Sequence, residues 1–136
     1  MKIKLLDYRV VDLCLQASEQ DNHMDMASND LSLEVGQLYP DDEKNIFGIG
    51  FKVSFSQEGF NVKTEMRFFF EIDSVITEDF KNGPFPAINA PAIAFPYLRS
   101  FLSILTMQAG YAPVMIPSVN FVEFAKRAVK NETSNK

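Results

Sequence analysis

The sequence has no tryptophan, one histidine and one cysteine among 136 residues. With Cys14 alone no internal disulfide can form, and such sparing use fits a reducing compartment. A nucleophile needs a base beside it, and the sole imidazole, His23, lies in a polar stretch away from Cys14. Cys14 therefore reads as a small strand residue and His23 as a solvated loop residue. Clusters of Lys and Arg are also missing. The formal charge is −5 and the pI about 4.8, so phosphate contacts, and nucleic acid as a partner, are not expected. No run approaches the roughly 20 consecutive apolar residues of a membrane span. After Lys2 and Lys4 the chain lacks the apolar stretch of a signal peptide. A soluble, cytoplasmic protein without membrane insertion is the expectation.

Metal and phosphate motifs are equally scarce. Asp21, Asn22, His23 and Asp25 lie close together but lack the glycine and closing glutamate of a calcium loop. Gly48 and Gly50 alternate inside a strand pattern instead of opening a helix, so they form no phosphate cradle. They read as a strand face left bare for close packing. The carboxylates of Asp41-Asp42-Glu43 and of Glu71 with Asp73 read as solvated turn and strand residues. No catalytic residue, metal or cofactor is expected.

What the chain has in quantity is phenylalanine, thirteen copies, within a composition that is 46% hydrophobic. That exceeds the needs of one small core and leaves aromatic surface for a partner. One domain is expected over residues 1–130, with 131–136 a disordered tail.

Residues Ile3 to Gln16 suit a strand, but their apolar parity flips twice, which predicts a bent or bulged strand. Ala17 to Asp30, which include Met24 and Met26, read as a long polar loop. Leu31, Leu33 and Val35 give a short strand ending near Gly36. Phe47, Ile49, Phe51, Val53 and Phe55 alternate with small or polar residues, a half-buried antiparallel strand. After a turn at Glu58 and Gly59 the alternation resumes from Val62 to Ile72, with Phe69 alone on the polar face.

A helical period then runs from about Ala92 or Pro96 to Ala109, apolar almost all round. Such a helix is buried on more than one side, here against another subunit. Gly110 ends it, Pro113 and Pro117 force an extended connector, and Asn120 caps a last helix from Phe121 to about Lys130. Four strands followed by two helices make an α+β fold, an antiparallel sheet with helices on one face.

Asn89-Ala90-Pro91, Ile93, Phe95-Pro96-Tyr97 and Arg99 resemble the signature opening the long helix of the SecB family of protein-export chaperones. Gly110 with Tyr111, then Pro117 and Val119-Asn120-Phe121 interrupted by Ser118, continue the likeness without a gap. The resemblance implies an ATP-independent holdase, assembled as a dimer of dimers, that keeps unfolded or preprotein clients competent for export or folding. It implies client contacts at Leu31, Leu33, Val35, Phe68, Phe121 and Phe124. It implies a subunit interface through Tyr97, Phe101, Ile104 and Leu105 and a docking face for the SecA motor at Asp12, Phe69 and Glu71. Gln16 replaces a second acid of that face, the connection between strands three and four reads as longer than usual, and a basic tail replaces the family's acidic one. These departures mark a divergent member. Some such relatives guard an unstable antitoxin, the alternative specialisation.

Overall fold

Period-two apolarity decides the sheet. The computed structural model describes residues 2–18 and 31–134, with the side chains of the last helix as far as Arg127. The strands are β1 (Ile3–Ala17), β2 (Leu31–Leu38), β3 (Ile46–Gln57) and β4 (Phe60–Ile72). Residues 19–30, with His23, Met24 and Met26, lie outside the described residues. All pairings are antiparallel in the order β1-β4-β3-β2, so β1 and β2, neighbours in sequence, stand at opposite edges.

The predicted irregularity of β1 is present as two register shifts against β4, between Leu5 and Asp7 and between Val10 and Asp12. Leu6 and Val11 are the extra residues. Each bulge cancels one flip of parity, so Ile3, Leu5, Tyr8, Val10, Leu13 and Leu15 all stand on the face that carries Phe68, Phe70 and Val62 of β4. Two residues, Glu58 and Gly59, turn β3 into β4, with Gly59 at φ +91°, a conformation that suits glycine. That hairpin is tighter than the long connection read from the sequence.

On the inner face of the central strands, Phe47, Ile49, Phe51, Phe68 and Phe70 are fully buried. Three helices and a connector cover them. The first, α1 (Glu78–Lys81), starts where Thr77 Oγ1 accepts the Phe80 N–H at 3.1 Å. So short an element shows no sequence period and was not foreseen. A π-helical turn (Phe85–Asn89) leads into α2 (Ala90–Gln108). Pro86 and Pro91 lack N–H groups, and Ala90 N–H reaches back five residues to the Phe85 carbonyl. The helix therefore begins earlier than its apolar period suggests, with Pro96 inside it rather than at its start. Pro96 is exposed, as is Ala92, whose carbonyl loses its usual donor.

Gly110, at φ +99°, closes α2 as expected. Asn120 Oδ1 accepts the N–H groups of Val122 (3.0 Å) and Glu123 (3.3 Å), capping α3 (Phe121–Ser134), which continues past Lys130. By length and composition the helical run Glu78–Gln108 passes for a membrane span. The sequence reading did not anticipate this. Within the protein its Phe95, Leu98 and Leu102 are buried in the core beside the sheet.

Candidate functional site

The helices cover the middle of the sheet and leave both edges short of cover. On the β1 side, Leu6, Tyr8, Val10, Val11 and Leu13 are all exposed, Tyr8 at 46%. An edge strand of a single domain does not leave this much apolar surface to water without a use for it. The surface continues onto α2. Tyr8 lies 5.0 Å from the Phe68 ring and 5.3 Å from Tyr97, and Ile93, Tyr97 and Ile104 share one helical stripe, Ile104 being 52% exposed. Of the interface residues named from the sequence, Tyr97 and Ile104 are therefore free. Phe101 and Leu105 are half-buried against the chain's own core. The β1 residues were missed, although a strand with that many apolar residues at a sheet edge is itself the signal.

On the β2 side, Leu31 and Leu33 line a groove of about 390 Å3 with Pro117, Val119, Phe124 and Arg127. The far side of β2 has no strand partner among the described residues, so main-chain N–H and C=O groups run beside the groove. Val35 continues the same half-buried row. Three of the expected client residues, Leu31, Leu33 and Phe124, thus meet at one place.

Two do not. Phe68 is 0% exposed and Phe121 is 5% exposed, so in this conformation neither is a reachable client contact. Their burial has a plain cause: the middle of the sheet is where α2 and α3 converge. Phe121 packs on Phe95 (5.4 Å between ring centres) and Phe51 (6.2 Å), and Phe124 follows at 5.9 Å. The rings form a relay from core to groove, and Phe121 fixes the position of Phe124.

The groove's other wall is the connector from Ala112 to Asn120, and two hydrogen bonds set it. Arg99 Nε–H donates to the Ile116 carbonyl at 2.9 Å, and the Val114 N–H donates to Thr106 Oγ1 at 2.9 Å. Both bonds draw apolar side chains inward, leaving Val114 and Ile116 buried. Arg99 was noticed as part of a signature but not for this positioning role. Thr106, a polar residue on a largely apolar helix, is 0% exposed.

The opposite face of the sheet carries the remaining expected residues. Register places Asp12, Glu65, Lys52 and Glu34 in one cross-strand row and Asp7, Phe69, Gly48 and Leu38 in another, with Glu71 between Lys4 and Ile46. Asp12, Phe69 and Glu71 do share this outer face. Phe69 has an intramolecular task there: a Cβ on Gly48 would lie 3.0 Å from Phe69 Cε1 and 3.1 Å from Leu38 Cβ. The missing side chain of Gly48 leaves room for that ring. Among the described residues, no group of three His, Cys, Asp or Glu gathers to hold a metal ion.

A four-stranded antiparallel sheet, half roofed by helices and bordered by exposed apolar surface, is the architecture these residues build. The chain belongs to the SecB family: the family model described as preprotein translocase subunit SecB matches residues 30–132. Over 48 residues it is 38% identical to the protein-export protein SecB of Rhodospirillum centenum, covering 35% of this chain and 29% of that one. Over 71 residues it is 34% identical to an uncharacterized protein of Methanocaldococcus jannaschii, covering 52% and 44%. The chain thus matches less than half the length of these curated relatives. In fold it is similar to a SecB-like chaperone of Mycobacterium tuberculosis solved with a ChAD peptide from the HigA1 antitoxin. That match has a TM-score of 0.65 and 14% identity, covering 86% of this chain and 87% of that one. A Streptococcus agalactiae protein of unknown function is also similar, with a TM-score of 0.56 and 12% identity, covering 87% and 98%.

Proposed function

We propose that this protein is an ATP-independent holdase that binds unfolded polypeptide in the groove between β2 and α3 and performs no chemistry. The observation that carries the reading is the meeting of Leu31, Leu33 and Phe124 beside the open edge of β2. A client's backbone can pair with the edge while its alternate side chains enter the groove. Each apolar side chain so covered contributes about 25 cal/mol per Å2 removed from water. A folded protein hides the same groups and is passed over.

Oligomerisation fits the second uncovered margin. The apolar face of β1 and the Ile93, Tyr97, Ile104 stripe suit a second copy, giving a dimer and then a dimer of dimers in the cytoplasm. Several grooves on one particle bind a long chain better than a short peptide, through effective concentration.

The test is affinity for a fluorescently labelled, permanently unfolded client. Leu33→Asp and Phe124→Asp are each expected to weaken binding at least tenfold while the far-ultraviolet spectrum stays unchanged. Unchanged affinity with the fold intact overturns the assignment of the groove.

The antitoxin-directed alternative draws support from the peptide complex of the Mycobacterium relative. Competition decides between them: unrelated unfolded proteins displace one another from a general holdase and fail to displace a dedicated partner. Hand-over to a SecA motor would use Asp12, Phe69 and Glu71 on the outer face. Lys4, Arg9, Lys52, Lys63 and Arg67 are interleaved with those acids, which weakens attraction for a basic partner. A Phe69→Ala, Glu71→Lys protein that holds clients but no longer binds SecA supports this step, and unchanged SecA affinity removes it.

A further inference from the structure

Among the described residues two polar side chains are buried, Thr106 and Thr64. Thr106 holds the connector. Thr64 stands on the inner face of β4, 3% exposed, in a row whose other buried members, from Phe60 and Val62 to Phe70 and Ile72, are all apolar. A hydroxyl in such a row costs free energy unless it is bonded, and valine would fill nearly the same space without that need. The bond it makes leaves its own strand: Thr64 Oγ1–H donates to the Asp12 carbonyl of β1 at 2.9 Å.

Asp12 follows the second bulge of β1. Val10 stands opposite Met66 and Asp12 opposite Glu65, with Val11 the extra residue between them. Beyond the bulge, Leu13 faces Thr64, Cys14 faces Lys63 and Leu15 faces Val62. Remove the extra residue and each of these moves by one place. Cys14 then stands opposite Val62 on the inner face, Leu13 and Leu15 turn outward, and Asp12 turns in. The bulged register has its own costs, an interrupted ladder and the like charges of Asp12 and Glu65 set directly opposite each other. Leu15, packed against the core, favours it. Leu13, 42% exposed where it stands, contributes little. The Thr64 bond is the second contribution on the bulged side.

We infer that Thr64 is the positioning residue of the β1 edge: its hydroxyl holds the second bulge and so assigns the side chains beyond it to their faces. Leu13 and Leu15 are kept on the apolar margin, and Asp12 and Cys14 on the outer face. Both surfaces that β1 offers to a partner thus depend on one buried oxygen in the neighbouring strand. An edge strand pairs on one side only, so β1 has no second neighbour among the described residues to hold its register. The inference concerns which residues β1 presents and not what covers them, so it stands apart from the holdase and subunit readings.

Cys14, the one cysteine of the chain, makes the register measurable by disulfide trapping under mild oxidation. Lys63→Cys places a thiol directly opposite Cys14 in the bulged register. Val62→Cys places one opposite Cys14 only after the one-residue slip, since in the observed register the two side chains lie on different faces. With Thr64 present, the Lys63→Cys protein should close its bridge quickly and the Val62→Cys protein only slowly. Adding Thr64→Val should speed the Val62→Cys bridge about tenfold, the change in slipped population that one buried hydrogen bond controls. Adding Thr64→Ser, which keeps the hydroxyl, should leave it slow. The Lys63→Cys bridge still closing in the Thr64→Val protein shows that the sheet is intact. Three outcomes overturn the inference: a Val62→Cys bridge that forms as fast as the Lys63→Cys bridge with Thr64 present, a Val62→Cys rate unchanged by Thr64→Val, or equal acceleration by Thr64→Ser and Thr64→Val.

Discussion

Thr106 has one hydroxyl, and the connector depends on it. The oxygen accepts the Val114 N–H, and its proton goes to the Leu102 carbonyl at 2.9 Å or the Ser103 carbonyl at 3.1 Å. Valine is close in shape but strands the Val114 N–H in a buried place. Thr106→Val should therefore cost about 1–3 kcal/mol in urea unfolding, and Thr106→Ser markedly less. Equal losses for the two would show that packing rather than the hydrogen bond matters. Tyr39 offers a second check at this scale. Burial foremost, and then the negative charge of Glu78, push its hydroxyl up to about 12 from the ordinary 10.0, and it donates to Gln37 while Lys81 sits over its ring. The folded state holds this proton more tightly than the unfolded one, so the contribution is complete below pH 10 and is lost as pH rises towards 12. Phenolate absorbance of wild type minus Tyr39→Phe should show one transition near 12; a transition near 10 contradicts the burial assigned to it.

Among elements, legibility followed periodicity. β3 and β4 alternate over their whole length with one face sealed, so their sequence carries both the strand and its inner residues. The flips in β1 pointed to bulges, and both are there. Gly110 and Asn120 marked helix ends through backbone chemistry that needs no tertiary information. The rest depended on what covers what. Phe68 and Leu33 look alike in an alternating pattern, yet one lies under α2 and the other at an edge, a distinction made by helix placement alone. The π-helical turn was equally hidden, since proline spacing suggests an irregular start without saying which bond replaces the missing ones. The uncovered β1 edge carries its own prediction. Val10→Lys combined with Ile104→Lys places charge on both parts of the apolar margin and should reduce the solution mass, by light scattering after size exclusion, to that of a single chain. An unchanged mass would move the subunit contact elsewhere.

For the molecule as a whole, the arrangement is a sheet whose roof is narrower than its floor. A monomer built only for stability would spread its helices over both edges. Here they converge on the centre, where Phe51, Phe95 and Phe121 pack together, and the margins stay apolar and open. The same economy of roof leaves exposed apolar surface on β1 and α2 at one side and the β2–α3 groove at the other. The most direct measurement is light scattering by an aggregating, chemically denatured protein with and without this chain at equal particle number. The account predicts that wild type suppresses the scattering without nucleotide and that Leu33→Asp does not; scattering unaffected by wild type would contradict it.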